Sequence, residues 1–362
     1  MNRKTLCIFG LCLCFFSLSV LWAQSASVPE ADKKSAAQSL LNPWFSELNI
    51  AIASGVSYTH IGEFVYKKSG GGFVPLSRLD WSNLLLWTAD AHINYDIKRF
   101  RMLFDFTAAM PVFHTAHMQD KDWKQLNGTL TDFSEHPVRL DSHFGTQTGF
   151  VYRIWDLNTF SAGMGAAFAY KSTELTARDG IKHLPAPQLK LSGDLISYRQ
   201  ELYLPELVLF SEWKPHPVFE ALLMLYVSPI GFAQTLDTHF DYNRASGSSK
   251  KPDIHKQFSD RMYGFGGVNG DIVLRLTLPQ KTIRARGTDT KTKEVSDSSA
   301  QRRKTAHALE LRLNAAFVPE LQGKTYQRRG SVTAPFFPDE DGKPGSSFRS
   351  FGASLAYCIR IR

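Results

Sequence analysis

Two short acidic motifs in this 362-residue chain combine residue types that can move a proton: Asp120-Lys-Asp122-Trp123 and Asp237-Thr-His239. In an extended strand, residues two apart share a face, so each spacing can turn both of its polar groups to one side. One wall would then carry two carboxylates, and another a carboxylate beside an imidazole. A water held between them could be activated, the Asp next to the His fixing the imidazole tautomer and raising its basicity, as hydrolysis requires. Taken alone, neither motif is specific, since Asp-x-Asp suits a solvated turn or a loose Ca²⁺ ligand set better than catalysis. Other chemistries have less support. The chain has no zinc-like His/Cys spacing, no G-x-S-x-G, no P-loop and no G-x-G-x-x-G after a strand, so no metal site and no cofactor are expected.

The elements that must position these residues show a period of two. From Phe100 the even positions run Phe100, Met102, Phe104, Phe106, Ala108, Met110, against Arg99, Arg101, Leu103, Asp105, Thr107. The pattern returns at Leu309, Leu311, Leu313, Ala315, Phe317, at Ile272, Leu274, Leu276, Leu278, and at Leu355, Tyr357, Ile359, Ile361. Each such strand has one apolar and one mixed or polar face. These stretches run to about ten residues or more, the length a tilted strand needs to cross a bilayer, whereas soluble strands average about five or six. The expectation is therefore an all-β chain: a ten-stranded antiparallel transmembrane β-barrel with its apolar face to lipid.

The connections alternate in length. Tight ones fall near Asp96 to Lys98, Asp156 to Asn158 and Lys214 to Pro217; long ones span about 67–78, 119–140, 179–197, 240–256 and 328–347. By barrel convention the tight turns are periplasmic and the long loops external. Residues 280–304 break the rule, forming a long polar tract where a tight periplasmic turn is due, and their composition is that of a solvated segment.

Arg3 and Lys4, an apolar run from Leu6 to Trp22 and small residues at Ala23, Ser25 and Ala26 form a secretory signal over residues 1–25, an uncleaved anchor being the alternative. A segment 26–45 follows, then the barrel over 46–362. Three of the 4 cysteines (Cys7, Cys12, Cys14) belong to the signal, so Cys358 would stand alone after export, with no internal disulfide. The net charge of +8 is spread along the chain without any nucleic-acid-binding pattern, so no nucleic-acid partner is expected.

Together these residues resemble a known family. Glu63-Phe-Val-Tyr66 leading into Leu79-Asp80-Trp81, then Asp120-Lys-Asp122-Trp123, Thr131-Asp132-Phe-Ser-Glu-His136-Pro137 and Asp237-Thr-His239, in that order, look like the omptins, outer-membrane aspartyl-type endopeptidases on a ten-stranded barrel. The resemblance covers about residue 46 to the C-terminus. It implies Asp120 and Asp122 as the catalytic Asp pair, Asp237 and His239 as the dyad, and direct attack by water without a covalent intermediate. It implies Glu63 at the floor of a substrate pocket for Arg or Lys, and Asp132 and His136 as supporting residues whose alternative role is turn capping. Partners would be peptide or protein substrates and outer-membrane lipid, with the active site facing the exterior of a bacterial outer membrane.

Departures from the pattern qualify this. Thr235 stands where the family places a second acid two residues before the dyad Asp, which argues against a strict dibasic preference. Ser172 and Glu201 stand where the family has basic lipid-binding residues, although Thr176-Ala177-Arg178 agrees, so dependence on lipopolysaccharide is not carried over. The chain ends Ile361-Arg362 rather than on an aromatic residue. The rival function is a catalytically silent barrel of this fold acting as an adhesin or surface-binding protein. A porin is disfavoured because ten strands leave a lumen mostly filled by side chains.

Overall fold

The structure is a computed structural model that describes residues 47–110, 115–125, 128–240, 254–279, 305–330 and 333–361. The expected signal and the whole of the 280–304 tract lie outside the described residues. The elements are β1 (Glu47–Ser69), β2 (Gly72–Ile97), β3 (Phe100–Met110), β4 (His117–Asp122), β5 (Asp132–Asp156), β6 (Phe160–Leu184), β7 (Leu189–His216), β8 (Phe219–Ser228), β9 (Gly231–Phe240), β10 (Ile254–Gly264), β11 (Gly267–Thr277), β12 (Thr305–Arg329), β13 (Phe337–Asp339) and β14 (Gly342–Ile361). All pairings among them are antiparallel, and β1 pairs with both β2 and β14, which closes the sheet. Three positions in the ring are each shared by two successive elements: β3 and β4 both lie between β2 and β5, β8 and β9 both pair with β7, and β10 and β11 both pair with β12. The result is a ring of ten strands, as the periodicity predicts.

Burial decides which way the faces point. On β1, Ala51 and Ala53 are buried while Ile52 is 62% exposed; on β14, Ala356 and Cys358 are buried while Leu355 is 70% exposed. Leu207, Leu209, Leu223, Ile272 and Leu309 are likewise exposed, and Arg101, Glu212, Glu220, Arg275 and Glu310 are buried. Apolar outside and charged inside is the inversion that a lipid solvent imposes on a barrel. Trp155, Phe160 and Trp213 ring the short-turn end of this band, and Trp87, Phe232, Tyr263 and Phe317 mark its other edge. One row beyond that edge the outward positions turn polar, with Glu201, Gln234 and Arg261 in register across three strands.

At the short-turn end, ion pairs span the lumen. Arg101 on β3 donates to Asp96 at 2.8 Å and to Glu212 on β7 at 2.9 Å. Arg275 is held between Glu220 and Glu310, and Arg360 on β14 reaches Glu220 on β8. Taking so many charges out of water is tolerable only because each carboxylate has a cationic partner. Cys358 is free and buried.

The opposite half differs from the expectation of a polar lumen flanked by loops. Seven strands run 20 to 28 residues, about twice what a bilayer requires, so the hairpins stand clear of the apolar band. Much of what the sequence suggests as external loop is paired strand: β1 and β2 continue to a turn at Gly70 and Gly71, and β6 and β7 are separated only by residues 185–188. Inside this rise sits an apolar plug of Ile61, Trp81, Leu84, Met118, Tyr198 and Phe348 with their neighbours. Trp81 stacks on Tyr198 across the lumen, ring centroids 5.6 Å apart. A bulge makes room for it: register slips between Thr59 and Ile61, and Asn83 takes φ of 54°, so that Trp81 and Leu84, three apart, both turn inward.

Candidate active site

The plug forms the floor of a cleft between the rising hairpins, and the acidic motifs stand on its walls. On one side, β4 is inserted between β2 and β5, with Asp120 opposite Leu79 and Ser134, and Asp122 opposite Asp132. On the other, β9 carries Asp237 opposite Tyr198 of β7 and Phe258 of β10, and His239 one pleat further out. Both motifs lie on strands, so the shared face expected from the two-residue spacing is realised in each.

Asp237 is 2% exposed, and the His239 Nε2–H donates to its Oδ2 at 2.6 Å. The ring meets Phe258 edge-on at 5.8 Å between centroids and is otherwise open to the cleft, about a third of the side chain being accessible. Withdrawal from bulk water lowers the imidazole pKa, but the adjoining Asp237 carboxylate outweighs this and holds it above the usual value. With Nε2 committed to Asp237, Nδ1 is the nitrogen left to act on a ligand.

Asp120 faces this dyad. Its Oδ1 is fully covered and has no hydrogen-bond partner among the described residues, and the same is true of Asp237 Oδ1. Burial first, and then the neighbouring Asp122 carboxylate, push Asp120 up to about 7, while the positive charge of His239 works the other way. Each of Asp120 and His239 therefore bears on the other's ionisation, which brings the two walls into one electrostatic unit. Asp122 is steadied by Lys124, whose Nζ lies 3.4 Å from it and 2.9 Å from Asp132.

The two supporting candidates separate. Asp132 also receives Lys182 at 2.7 Å; burial opposes ionisation, but the bonds from Lys182 and Lys124 prevail, and its pKa falls below the usual carboxylate range. It anchors the lysine that neighbours Asp122. His136 is buried, bonded to Ser134 Oγ at 2.7 Å and to the Asp179 carbonyl, and burial lowers its pKa. It ties β5 to the turn at Gly180, where a side chain would strike His136 Nδ1 and where φ is +118°. His136 thus touches the residue opposite Asp120 and takes no part in the dyad.

Glu63 lies on β1 between Ser346 and Leu79, 3% exposed, with Oε2 unpartnered. Burial, followed by the charges of Asp237, Asp260 and Asp120, raises its pKa well above the ordinary value. Thr235 is buried too, and its hydroxyl donates at 3.0 Å to Asp260 on β10, directly across the strand pair. Asp260 and the two lysines, Lys124 and Lys182, escaped the reading of the sequence. No motif flags Asp260, because its relation to Thr235 depends on the register between β9 and β10.

A model of the omptin family matches residues 44–273, well over half of the chain. The chain belongs to the omptin family. No curated protein matches it by sequence. Among solved structures, the outer membrane protease OmpT from Escherichia coli superposes with a TM-score of 0.64 at 15% identity, covering 87% of this chain and 96% of that one. A FadL homologue from Pseudomonas aeruginosa (TM-score 0.27, 9% identity, 87% and 90% covered) and the translocator domain of the autotransporter NalP from Neisseria meningitidis (0.26, 8%, 88% and 92%) also match, at scores too low to carry an argument. The shared fold is thus that of an omptin-type barrel of the outer membrane.

Proposed function

We propose that the chain is an endopeptidase whose cleft, facing the cell exterior, activates a water between Asp120 and His239 to hydrolyse peptides. The observation that carries this is the pairing of a buried, 2.6 Å Asp237–His239 dyad with an Asp120 carboxyl on the opposite wall, each influencing the other's charge. His239 Nδ1 takes a proton from the water as its oxygen bonds to the scissile carbonyl carbon. Asp237 stabilises the imidazolium, which returns the proton to the amide nitrogen as the C–N bond breaks. Asp120, able to carry a proton near pH 7, donates a hydrogen bond to the developing oxyanion, and Asp122 beside it keeps that proton in place. Both products leave without a covalent intermediate. Tight turns at one end of the barrel and tall hairpins at the other support an outward cleft.

Glu63 is assigned to a basic side chain on the substrate: burial and the surrounding acids disfavour its charge, and a cation brought against its unpartnered Oε2 offsets that cost. Cleavage of a peptide library by the refolded barrel, compared with its His239→Ala variant, tests the proposal. A loss of about a hundredfold or more is expected; equal cleavage by both refutes the mechanism, and no cleavage by either favours a surface-binding barrel.

A further inference from the structure

One strand over from the dyad, the wall of the cleft changes sign. Phe258 on β10 meets His239 edge-on and Asp260 accepts the Thr235 hydroxyl, so the row Lys256, Phe258, Asp260 faces the cleft. Lys256 stands at the outer end of that row, in register with His239. On β12, Thr325, Gln327 and Arg329 lie opposite Asp260, Phe258 and Lys256 and continue the same face. On β1, Lys67 shares the face of Glu63, two pleats further out. Between β12 and β1, strand β14 places only Gly342 opposite Lys67, with Asp339 of β13 packed beside it. Lys256 registers this whole group. Burial lowers its ammonium pKa and the charge of Arg329 lowers it further; Asp339 and Asp237 work the other way, and Lys67 adds to the repulsion. Among the described residues none of the three cations is ion-paired to a carboxylate, and Lys256 Nζ rests instead over the Phe258 ring, 4.2 Å from its centroid. Like charges gathered in this way repel, and an anion placed among them relieves the repulsion.

From this geometry we infer that Lys256, Arg329 and Lys67 form a subsite for an acidic side chain of the substrate, Asp or Glu, within two residues of the scissile bond. The position follows from register. Paired residues of adjacent antiparallel strands lie about 5 Å apart, so a peptide whose scissile carbonyl is held at His239 passes a neighbouring side chain over Lys256. Extended peptide rises about 3.4 Å per residue, which sets the limit of two residues. The cleft is then bipolar: its floor, with Glu63, takes a basic side chain, and its rim takes an acidic one beside it. This inference rests on the peptidase proposal for its substrate, and it gives the rim lysines and arginine, which the hydrolytic scheme leaves unused, a part in choosing that substrate.

The test takes a peptide that the full refolded barrel cleaves and places Glu or its neutral isostere Gln at the second residue before the scissile bond or at either of the two after it. Wild type should favour Glu at one of these positions, with a Glu-to-Gln ratio of kcat/KM of about fivefold or more, the scale of a few partly exposed ion pairs. Lys256→Gln combined with Arg329→Gln should bring that ratio close to one. Lys256→Glu should make Lys at the same position better than Gln, a reversal that loss of packing alone does not produce. Each ratio compares two peptides on one protein, so changes in His239 basicity or in the folded fraction cancel. Equal or slower cleavage of the Glu peptides at all three positions by wild type, or a preference that survives intact in the double variant, overturns the inference and leaves the peptidase proposal standing. If the wild-type barrel cleaves no peptide at all, the peptidase proposal fails separately, and equilibrium binding of fluorescently labelled Glu and Gln peptides decides. Tighter binding of the Glu peptide that disappears in the double variant supports the subsite; equal binding of both by wild type refutes it.

Discussion

Replacing Asp237 by Asn removes one charge and leaves the shape of the dyad intact. Asp237 is almost wholly buried, and its Oδ2 lies 2.6 Å from His239 Nε2. Two unit charges about 4 Å apart interact by about 4 kcal/mol at an effective dielectric constant near 20. The His239 side chain is 34% exposed, so solvent reduces this toward the roughly 1.5–3 kcal/mol of a charge-assisted hydrogen bond. That alone weakens the base by about tenfold to a hundredfold. A second effect adds to it: the Asn amide can donate to Nε2, which drives the imidazole proton to Nδ1, the nitrogen that must accept from water. The combined loss in kcat should be about a hundredfold to ten-thousandfold, the upper end being the scale seen when a catalytic His is held in the wrong tautomer. The sign of the pH effect follows from the cause. Asp237 holds the His239 pKa above its usual value, so the acid limb of the profile, where the base becomes protonated, should move to lower pH in Asp237→Asn. Steady-state hydrolysis of a fluorogenic peptide from about pH 5 to 9 checks both, with heat-modifiable gel migration to show that the barrel is folded. Wild-type kcat with an unmoved acid limb would refute the dyad.

Asp120→Ala removes both the donor and the ionisable group, so the limb that Asp120 sets at about 7 should vanish from the pH profile and kcat should fall at least about a hundredfold; a persisting limb would assign it to another group. Lys124 lowers the Asp120 pKa, so Lys124→Met should shift that limb to higher pH while changing stability, followed by urea unfolding in lipid, by no more than about 1 kcal/mol. Arg275→Met strips Glu220 and Glu310 of a shared partner inside the lumen and should destabilise the barrel by about 3–5 kcal/mol in the same unfolding assay. Protease shaving of intact cells should cut near 241–253 and spare 280–304, and the reverse would invert the barrel.

Much of this molecule is legible one residue at a time. A strand's period of two is local, so the alternation at Phe100–Met110 and Leu355–Ile361 already implies one apolar and one polar face, and with strand length it implies a membrane barrel. Asp120 with Asp122 and Asp237 with His239 share faces for the same local reason. Which motifs meet is a matter of the ring: β4 and β9 are separated by more than a hundred residues, and only closure of ten strands sets Asp120 opposite His239. Two findings were beyond local pattern. The apolar plug depends on a bulge at Asn83 that turns Trp81 and Leu84 to the same side, against the simple alternation of the sequence. The partnership of Thr235 with Asp260 depends on register between β9 and β10, and register is a property of two strands together. The types and spacing of the site's residues are written in the chain, whereas the distances that could make them a site arise from shear and closure of the sheet.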